Sequence, residues 1–346
     1  MKTIIGESVL DKLNGYLKDN SMYKLYIITD DIVNELYMNY LEKILKDFNL
    51  ITYVLPSGEE SKSIDNIMPI YDNLIENNID RNTIILSFGG GVVGDVAGFV
   101  ASTYKRGLKY IQIPTTLLAQ VDSSLGGKVG IDYGGYKNIV GSFYFPEVVI
   151  IDISFLKTLG HKEVTCGLGE ILKYGLIHDY SLFEFTRLNL KNIYKKDLNV
   201  ILPIIKRSVN IKQEIVSKDK YDIGLRKILN FGHTIGHSIE SYYGFTKFNH
   251  GESIILGIMY ESYIGKELGL IDEGYFDEIF TTLKNLVLPI KFSNEEINIL
   301  INIMKNDKKN INENIAFILP VGKGKVNLYN NIEEKLIIKS LKGEWI

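Results

Sequence analysis

The chain has 346 residues, 45% hydrophobic and 23% charged, with a formal net charge of −3. These are globular proportions over a length that allows two domains, and the charge excludes a basic footprint for nucleic acid or anionic lipid. The single cysteine, Cys166, excludes an internal disulfide framework, fits a reducing compartment, and reads as a small core residue rather than a nucleophile.

In chain order, a β-rich run at 24–29 ends on Asp30 and leads into a helical pattern over 31–48. A strand at 51–55, a Pro-Ser-Gly turn at 56–58 and a helix over 64–77 follow. The strand at 83–88 runs into glycines, and further short strands stand at 110–113 and 148–151. Beyond about residue 154 helical patterns dominate, over 164–177, 198–217, 226–243, 251–268 and 275–286, with apolar positions three and four apart as in Ile254 and Ile258. Strands alternating with helices predict an α/β N-terminal nucleotide-binding domain with a mainly parallel sheet over 1–158. A mainly α-helical C-terminal domain is expected over 159–346. No apolar run approaches the roughly 20 residues of a membrane span, and the first residues lack a signal layout. The expectation is a cytoplasmic protein with no membrane or nucleic-acid partner.

Residues 89–94 read Gly-Gly-Gly-Val-Val-Gly before Asp95, giving G-x-G-x-x-G spacing through Gly89, Gly91 and Gly94. Such glycines let backbone amides at a helix N-terminus approach a pyrophosphate. A tight strand–helix turn without a ligand is the alternative. No acidic residue stands some 20 positions later for the ribose, and Asp30 is the substitute candidate.

Three of the five histidines, His233, His237 and His250, fall within one short stretch. His233 and His237, four apart, share a helical face, and His250 opens the next helix after a turn at Gly244. Imidazoles so placed can converge on a divalent metal, with Glu170 as carboxylate; histidines capping a polar network are the alternative. Glu170 and Lys173, three apart, project from one face of a helix, as ligand and neighbour or as a surface ion pair. Arg106, Asp122, Lys128, Lys137 and Asn138 sit among small residues, and Lys212, Arg226 and Asn230 lie ahead of His233. Cations on glycine-rich loops suit phosphate or carboxylate.

With these residues in place the chain resembles the 3-dehydroquinate synthase family, from about residue 30 to 309. The resemblance is carried by GGGVVGDVAGF (89–99), TYKRG (103–107), IPTTLLAQVDSSLGGKVG (113–130), KNIVGSFYFP (137–146), GLGEILKYG (167–175), LRKILNFGHTIGHSIE (225–240) and HGE (250–252). It implies Zn2+ (or Co2+) on Glu170, His233 and His250. It implies NAD at Asp30, Gly58, Glu59, Lys62, Gly91, Val92, Val93, Gly94, Asp95, Thr115, Thr116, Lys128, Lys137, Phe155, Leu156, Lys157 and Thr158. Catalytic roles fall to Asp122, Lys128, Lys173 and His237, and substrate binding to Asn138, Lys212, Arg226 and Asn230. Arg106 is implied to reach in from the other subunit of a homodimer, and a cation of Asp307-Lys308-Lys309 to line the site. Two departures from the family pattern, Asp219-Lys220 in place of an acidic pair and Cys166 in place of alanine, read as peripheral.

The implied reaction converts 3-deoxy-arabino-heptulosonate 7-phosphate to 3-dehydroquinate. It proceeds by transient oxidation with NAD, phosphate elimination, re-reduction and intramolecular aldol closure. A sister sugar-phosphate cyclase, a metal-dependent polyol dehydrogenase and a non-enzymatic NAD-binding regulator are the competing readings.

Overall fold

The computed structural model describes residues 1–20, 22, 24–306 and 315–346, which divide into two compact units. The first comprises Met1–Gly160 and Lys195–Val209; the second comprises His161–Tyr194 and Asn210–Ile346.

The first unit is built on a parallel sheet. Its strands are β1 (Lys2–Gly6), β2 (Lys24–Asp30), β3 (Asn49–Leu55), β4 (Ile84–Gly89), β5 (Tyr110–Pro114) and, after a hairpin of β6 (Lys128–Tyr133) and β7 (Tyr136–Phe143), β8 (Val148–Asp152). The spatial order is β1-β8-β5-β4-β2-β3, every pair parallel. Its helices are α1 (Asp11–Asp19), α2 (Asp31–Ile44), α3 (Ile64–Glu76), α4 (Gly91–Thr103) and α5 (Leu117–Val121). The twofold strand period explains why both faces are covered. Leu25 and Ile27 of β2 join a core with α1 and α2, while Tyr26 and Ile28 join the opposite core with α3 and α4. Each fully buried aliphatic side chain adds roughly 1.5–3 kcal/mol, so such a sheet has little tolerance for polar intrusion. The chain turns outward at β2→β3 and the other way at β4→β5, so the topological switch lies between neighbours β2 and β4. In open α/β sheets ligands bind beyond the carboxyl ends of the strands at such a switch.

The second unit holds α6 (His161–Ile177), α7 (Tyr180–Leu188), α8 (Leu190–Tyr194), the latter part of α9 (Leu198–Lys218), α10 (His233–Tyr242), α11 (His250–Glu267), α12 (Glu273–Lys284) and α13 (Asn294–Asn306). A hairpin of β9 (Phe317–Gly322) and β10 (Lys325–Tyr329) and a last helix α14 (Glu334–Lys342) complete it. A helix that is apolar all round belongs inside, and α11 is buried continuously from Ser253 to Gly265, packed by α6, α10, α12, α14 and β9.

The helix expected over 226–243 is interrupted. Residues Leu225–Asn230 form a 3-10 turn and α10 starts only at His233, because Gly232 adopts a left-handed φ of 80°. The helix expected over 31–48 stops at Ile44.

Candidate active site

Candidate nucleotide residues of the first unit, apart from Lys128 and Lys137 in the β6–β7 hairpin, follow the carboxyl ends of five strands that are consecutive in space, β8, β5, β4, β2 and β3. Asp30 closes β2 and caps α2, its Oδ1 accepting from Val33 N at 2.8 Å; burial raises its pKa, against the pull of that amide. Gly91, Val92, Val93, Gly94 and Asp95 open α4, whose cap residue Gly90 supplies no side-chain acceptor, so the first-turn amides stay available to an anion. Thr115 follows β5, donating its amide to Gly89 O at 3.0 Å, and Thr116 caps α5 by accepting from Ala119 N. Phe155, Leu156, Lys157 and Thr158 form the turn after β8, held by Tyr37, whose hydroxyl meets Phe155 O at 3.1 Å and Thr158 Oγ1 at 2.5 Å.

Gly58 and Glu59 follow β3 and lead to Lys62, which is only 3% exposed. Its ammonium donates to Asp95 Oδ2 at 2.9 Å and Asn138 Oδ1 at 2.5 Å, with Glu59 Oε1 at 3.4 Å. Burial opposes the charge, but Asp95 and Glu59 raise the lysine pKa overall. Asn138, at φ 51°, donates its amide to Asp132 Oδ1 at 2.7 Å, and Lys137 pairs with Glu59 at 3.3 Å. The β6–β7 hairpin thereby joins predicted substrate residue Asn138 to predicted cofactor residues Lys62, Lys137 and Glu59. Lys128 stands exposed at the start of β6 and Asp122 at the end of α5. Arg106 is exposed on a turn in which Lys105 and Arg106 both have positive φ, held where Arg81 donates to Lys105 O at 3.1 Å.

Beside the glycine turn at Gly89–Gly91, Thr115 Oγ1 and Ser123 Oγ are buried without a hydrogen-bond partner among the described residues. A Cβ on Gly91 would stand 3.2 Å from Ser123 Oγ. Bare amides and unsatisfied hydroxyls at a switch point fit a polar phosphate-bearing nucleotide.

In the second unit three helices converge. Glu170 and Lys173 lie on α6, 0% and 1% exposed, and form a direct ion pair. His233 is the first residue of α10 and His250 the first of α11. The α11 start is fixed by a capping box in which Asn249 and Glu252 exchange side-chain and amide bonds. The helices meet closely because two contacts exclude a side chain. A Cβ on Gly251 would lie 1.9 Å from Cys166 O, and one on Gly257 would lie 1.8 Å from Gly232 O.

Glu170 Oε1 consequently lies 3.3 Å from His250 Nε2 and 3.6 Å from His233 Nε2. A tetrahedral ion with bonds of about 2.0–2.1 Å holds its donors roughly 3.3 Å apart, so the spacing suits Zn2+ or Co2+. His233 Nδ1 faces Phe231 O at 3.1 Å, which leaves Nε2 to the cluster. His250 Nδ1 faces Glu240 Oε2 at 3.7 Å. Burial disfavours the His250 imidazolium, but Glu170 and Glu240 outweigh it and push the pKa up to about 9. His237 stands one turn along α10, its ring 5.0 Å from His233 and 5.7 Å from His250, and with Glu240 and His250 forms a second set of mutually close ligand atoms.

Lys212 and Arg226 are both buried, and Asn230 ends the 3-10 turn. The Asp219-Lys220 departure is not peripheral. Asp219 Oδ2 accepts from Arg226 N at 3.0 Å, and Lys220 O accepts from the Arg226 guanidinium at 2.9 Å, so this pair shapes a predicted substrate residue. Cys166 Sγ accepts from Gly251 N at 3.4 Å, and burial pushes the thiol up to about 12, a packing role rather than a nucleophile's. Of the other histidines, His161 stacks on Tyr194 and His178 pairs with Glu214. The predicted cations at Lys308 and Lys309 lie outside the described residues.

The sequence reading missed Glu240 and Glu261. Glu240 was detectable as a carboxylate three residues after His237, and Glu261 as a lone acid in the apolar run of α11.

Sequence models of the 3-dehydroquinate synthase N-terminal and C-terminal domains match residues 52–166 and 167–310. A 3-dehydroquinate synthase from Alkaliphilus metalliredigens (strain QYMF) is 45% identical over 322 residues, covering 93% of this chain and 90% of the relative. The chain belongs to the 3-dehydroquinate synthase family. Among solved structures, a 2-epi-5-epi-valiolone synthase from Streptomyces hygroscopicus subsp. jinggangensis 5008, with NAD+ and Zn2+ bound, superposes with a TM-score of 0.91 at 25% identity, covering 98% of this chain and 95% of that one. A 2-deoxy-scyllo-inosose synthase complexed with carbaglucose-6-phosphate, NAD+ and Co2+ gives 0.88 at 28% identity, covering 98% and 96%. The synthase family is therefore set among sugar-phosphate cyclase folds, and the higher sequence identity lies with the dehydroquinate branch.

Proposed function

We propose that this chain closes 3-deoxy-arabino-heptulosonate 7-phosphate to 3-dehydroquinate with release of phosphate, as a phosphate-eliminating carbon–oxygen lyase. The observation that carries the reading is the convergence of His233 and His250 on Glu170 beside buried Lys173, in a chain 45% identical to a named synthase. Glu170, His233 and His250 would hold Zn2+ or Co2+, which when bound supplies Lewis acidity at a substrate hydroxyl. Asp30, Gly58, Glu59, Lys62, residues 91–95, Thr115, Thr116, Lys137 and residues 155–158 would hold NAD, which when bound takes up and returns one hydride. The NAD+ with Zn2+ or Co2+ in the related cyclases supports both assignments.

The chain's own groups divide the remaining work. Lys212 and Arg226, two buried cations, suit the substrate carboxylate, which distinguishes an acid substrate from a neutral sugar phosphate. Lys128, Asn138, Asn230 and His237 hold the phosphate end, joined by Arg106 from the second subunit of a homodimer. Fixing both ends keeps one geometry through successive steps. His237 and Asp122 move protons, with the leaving phosphate as a further base. We place the protein in the cytoplasm, without a membrane or nucleic-acid partner; among the described residues no helix is long and apolar enough to cross a membrane.

The test supplies the heptulosonate phosphate with Zn2+ and a catalytic amount of NAD. Equal release of phosphate and 3-dehydroquinate is expected, with no net NADH and with turnover abolished in His250→Ala. Stoichiometric NADH, or full activity of His250→Ala without metal, would refute the reading.

A further inference from the structure

Glu261 is a carboxyl group with 0% exposure, three turns along α11 from His250, and no step above uses it. Its two oxygens reach across to the neighbouring helix. Oε2 accepts from Gly232 N at 2.7 Å and Oε1 from Ile235 N at 3.2 Å. These are the amides of the cap residue and of the third residue of α10, a helix whose cap is a glycine with no side chain to accept from its first turn. The cap is therefore supplied from another helix, and the two helices joined in this way carry His233 and His250.

We infer that Glu261 is a positioning residue that sets the His233–His250 spacing by clamping the start of α10 onto α11, and so tunes affinity for the divalent cation. The inference rests on reading Glu170, His233 and His250 as the metal site. The clamp acts where backbone freedom is greatest. Gly232 sits in the left-handed region directly before His233, and its carbonyl is already pressed against Gly257. With Gly232 N bonded to Glu261 and Gly232 O packed on Gly257, the peptides on both sides of Gly232 are constrained by α11. Removing the carboxyl would leave two buried amides without acceptors and let the imidazole swing. A glutamine has one oxygen where the carboxyl has two, and would turn an NH2 group onto one of these donors.

The test measures binding of Zn2+ alone by chelator competition, and the visible absorption of the Co2+-loaded protein, for wild type, Glu261→Gln, Glu261→Asp and His250→Ala. Glu261→Gln is expected to weaken Zn2+ about 10-fold, the lower end for residues that orient metal ligands, and to shift the Co2+ bands; Glu261→Asp should fall between. A purely structural role would lower the melting temperature and leave both readouts of the folded protein unchanged, which would overturn the inference. Should the variants fail to fold, hydrogen exchange on the unmodified protein decides: Zn2+ should slow exchange at Gly232 and Ile235 about 10-fold more than in α12. Equal protection overturns the clamp. A wild type without one tight Zn2+, or His250→Ala binding as tightly as wild type, defeats the metal reading itself.

Discussion

Replacing Lys173 by methionine removes a charge while nearly keeping its volume, so it isolates the electrostatics of the α6 pair. Lys173 and Glu170 have side chains 2% and 1% exposed and touch directly. Breaking a buried pair by deleting one partner costs about 3–5 kcal/mol, because the survivor stays desolvated without a counter-charge. The lower end applies here, since His250 and His233 remain at 3.3 and 3.6 Å from Glu170 Oε1. About 3 kcal/mol corresponds to a loss of about 6–12 °C in the melting temperature of a unit this size. A divalent cation on Glu170 would replace the missing charge, so Zn2+ should restabilise Lys173→Met more than wild type and close at least half of the gap. Thermal melts of both proteins in chelator and in excess Zn2+ check this. A metal-free variant melting within about 2 °C of wild type, or equal Zn2+ shifts in the two, would refute the account of the pair.

In the metal-free protein the His250 pKa of about 9 stands above the usual 6.5, so its stabilisation is complete below pH 6.5 and lost as pH rises through 9, about 3 kcal/mol at most. Glu261, lifted by burial to about 8, adds a decline of the same sign, so the comparison with His250→Asn isolates the imidazole. Identical pH–stability profiles for the two proteins in chelator would contradict the assignment. Gly257→Ala places a methyl 1.8 Å from Gly232 O and should separate α10 from α11, with a loss of about 3 kcal/mol or more and weakened Zn2+ binding; a variant melting like wild type would show the contact to be slack. Lys128→Ala should raise KM and slow phosphate release while Zn2+ affinity holds, and unchanged steady-state kinetics would discard its role at the phosphate.

The strand–glycine–helix unit at 84–103 was legible because a buried strand and the glycine spacing are both local signals. The histidine cluster was legible because three of five histidines crowd one stretch, whereas the choice of His233 and His250 over His237 came from the family resemblance. The hairpin of β6 and β7 read as a loop, although Gly134 and Gly135, at φ 59° and 81°, form the glycine pair that tight hairpins favour. Helical periodicity carried the predicted helix through Gly232, since a single left-handed residue leaves no trace in an apolar pattern. The depth of Glu240 and Glu261, and the part of Asp219 and Lys220 in holding Arg226, depend on which helices and loops become neighbours. Spacing along the chain does not contain that information.

An ammonium group has three hydrogens, and at Lys62 the group donates to Asp95 and Asn138 while Glu59 pairs with it at 3.4 Å. A nucleotide held by this lysine would meet an ammonium already pinned in place, not one that must first be immobilised. Arginine, with a flat fork instead of a tripod, would not seat in the same hole.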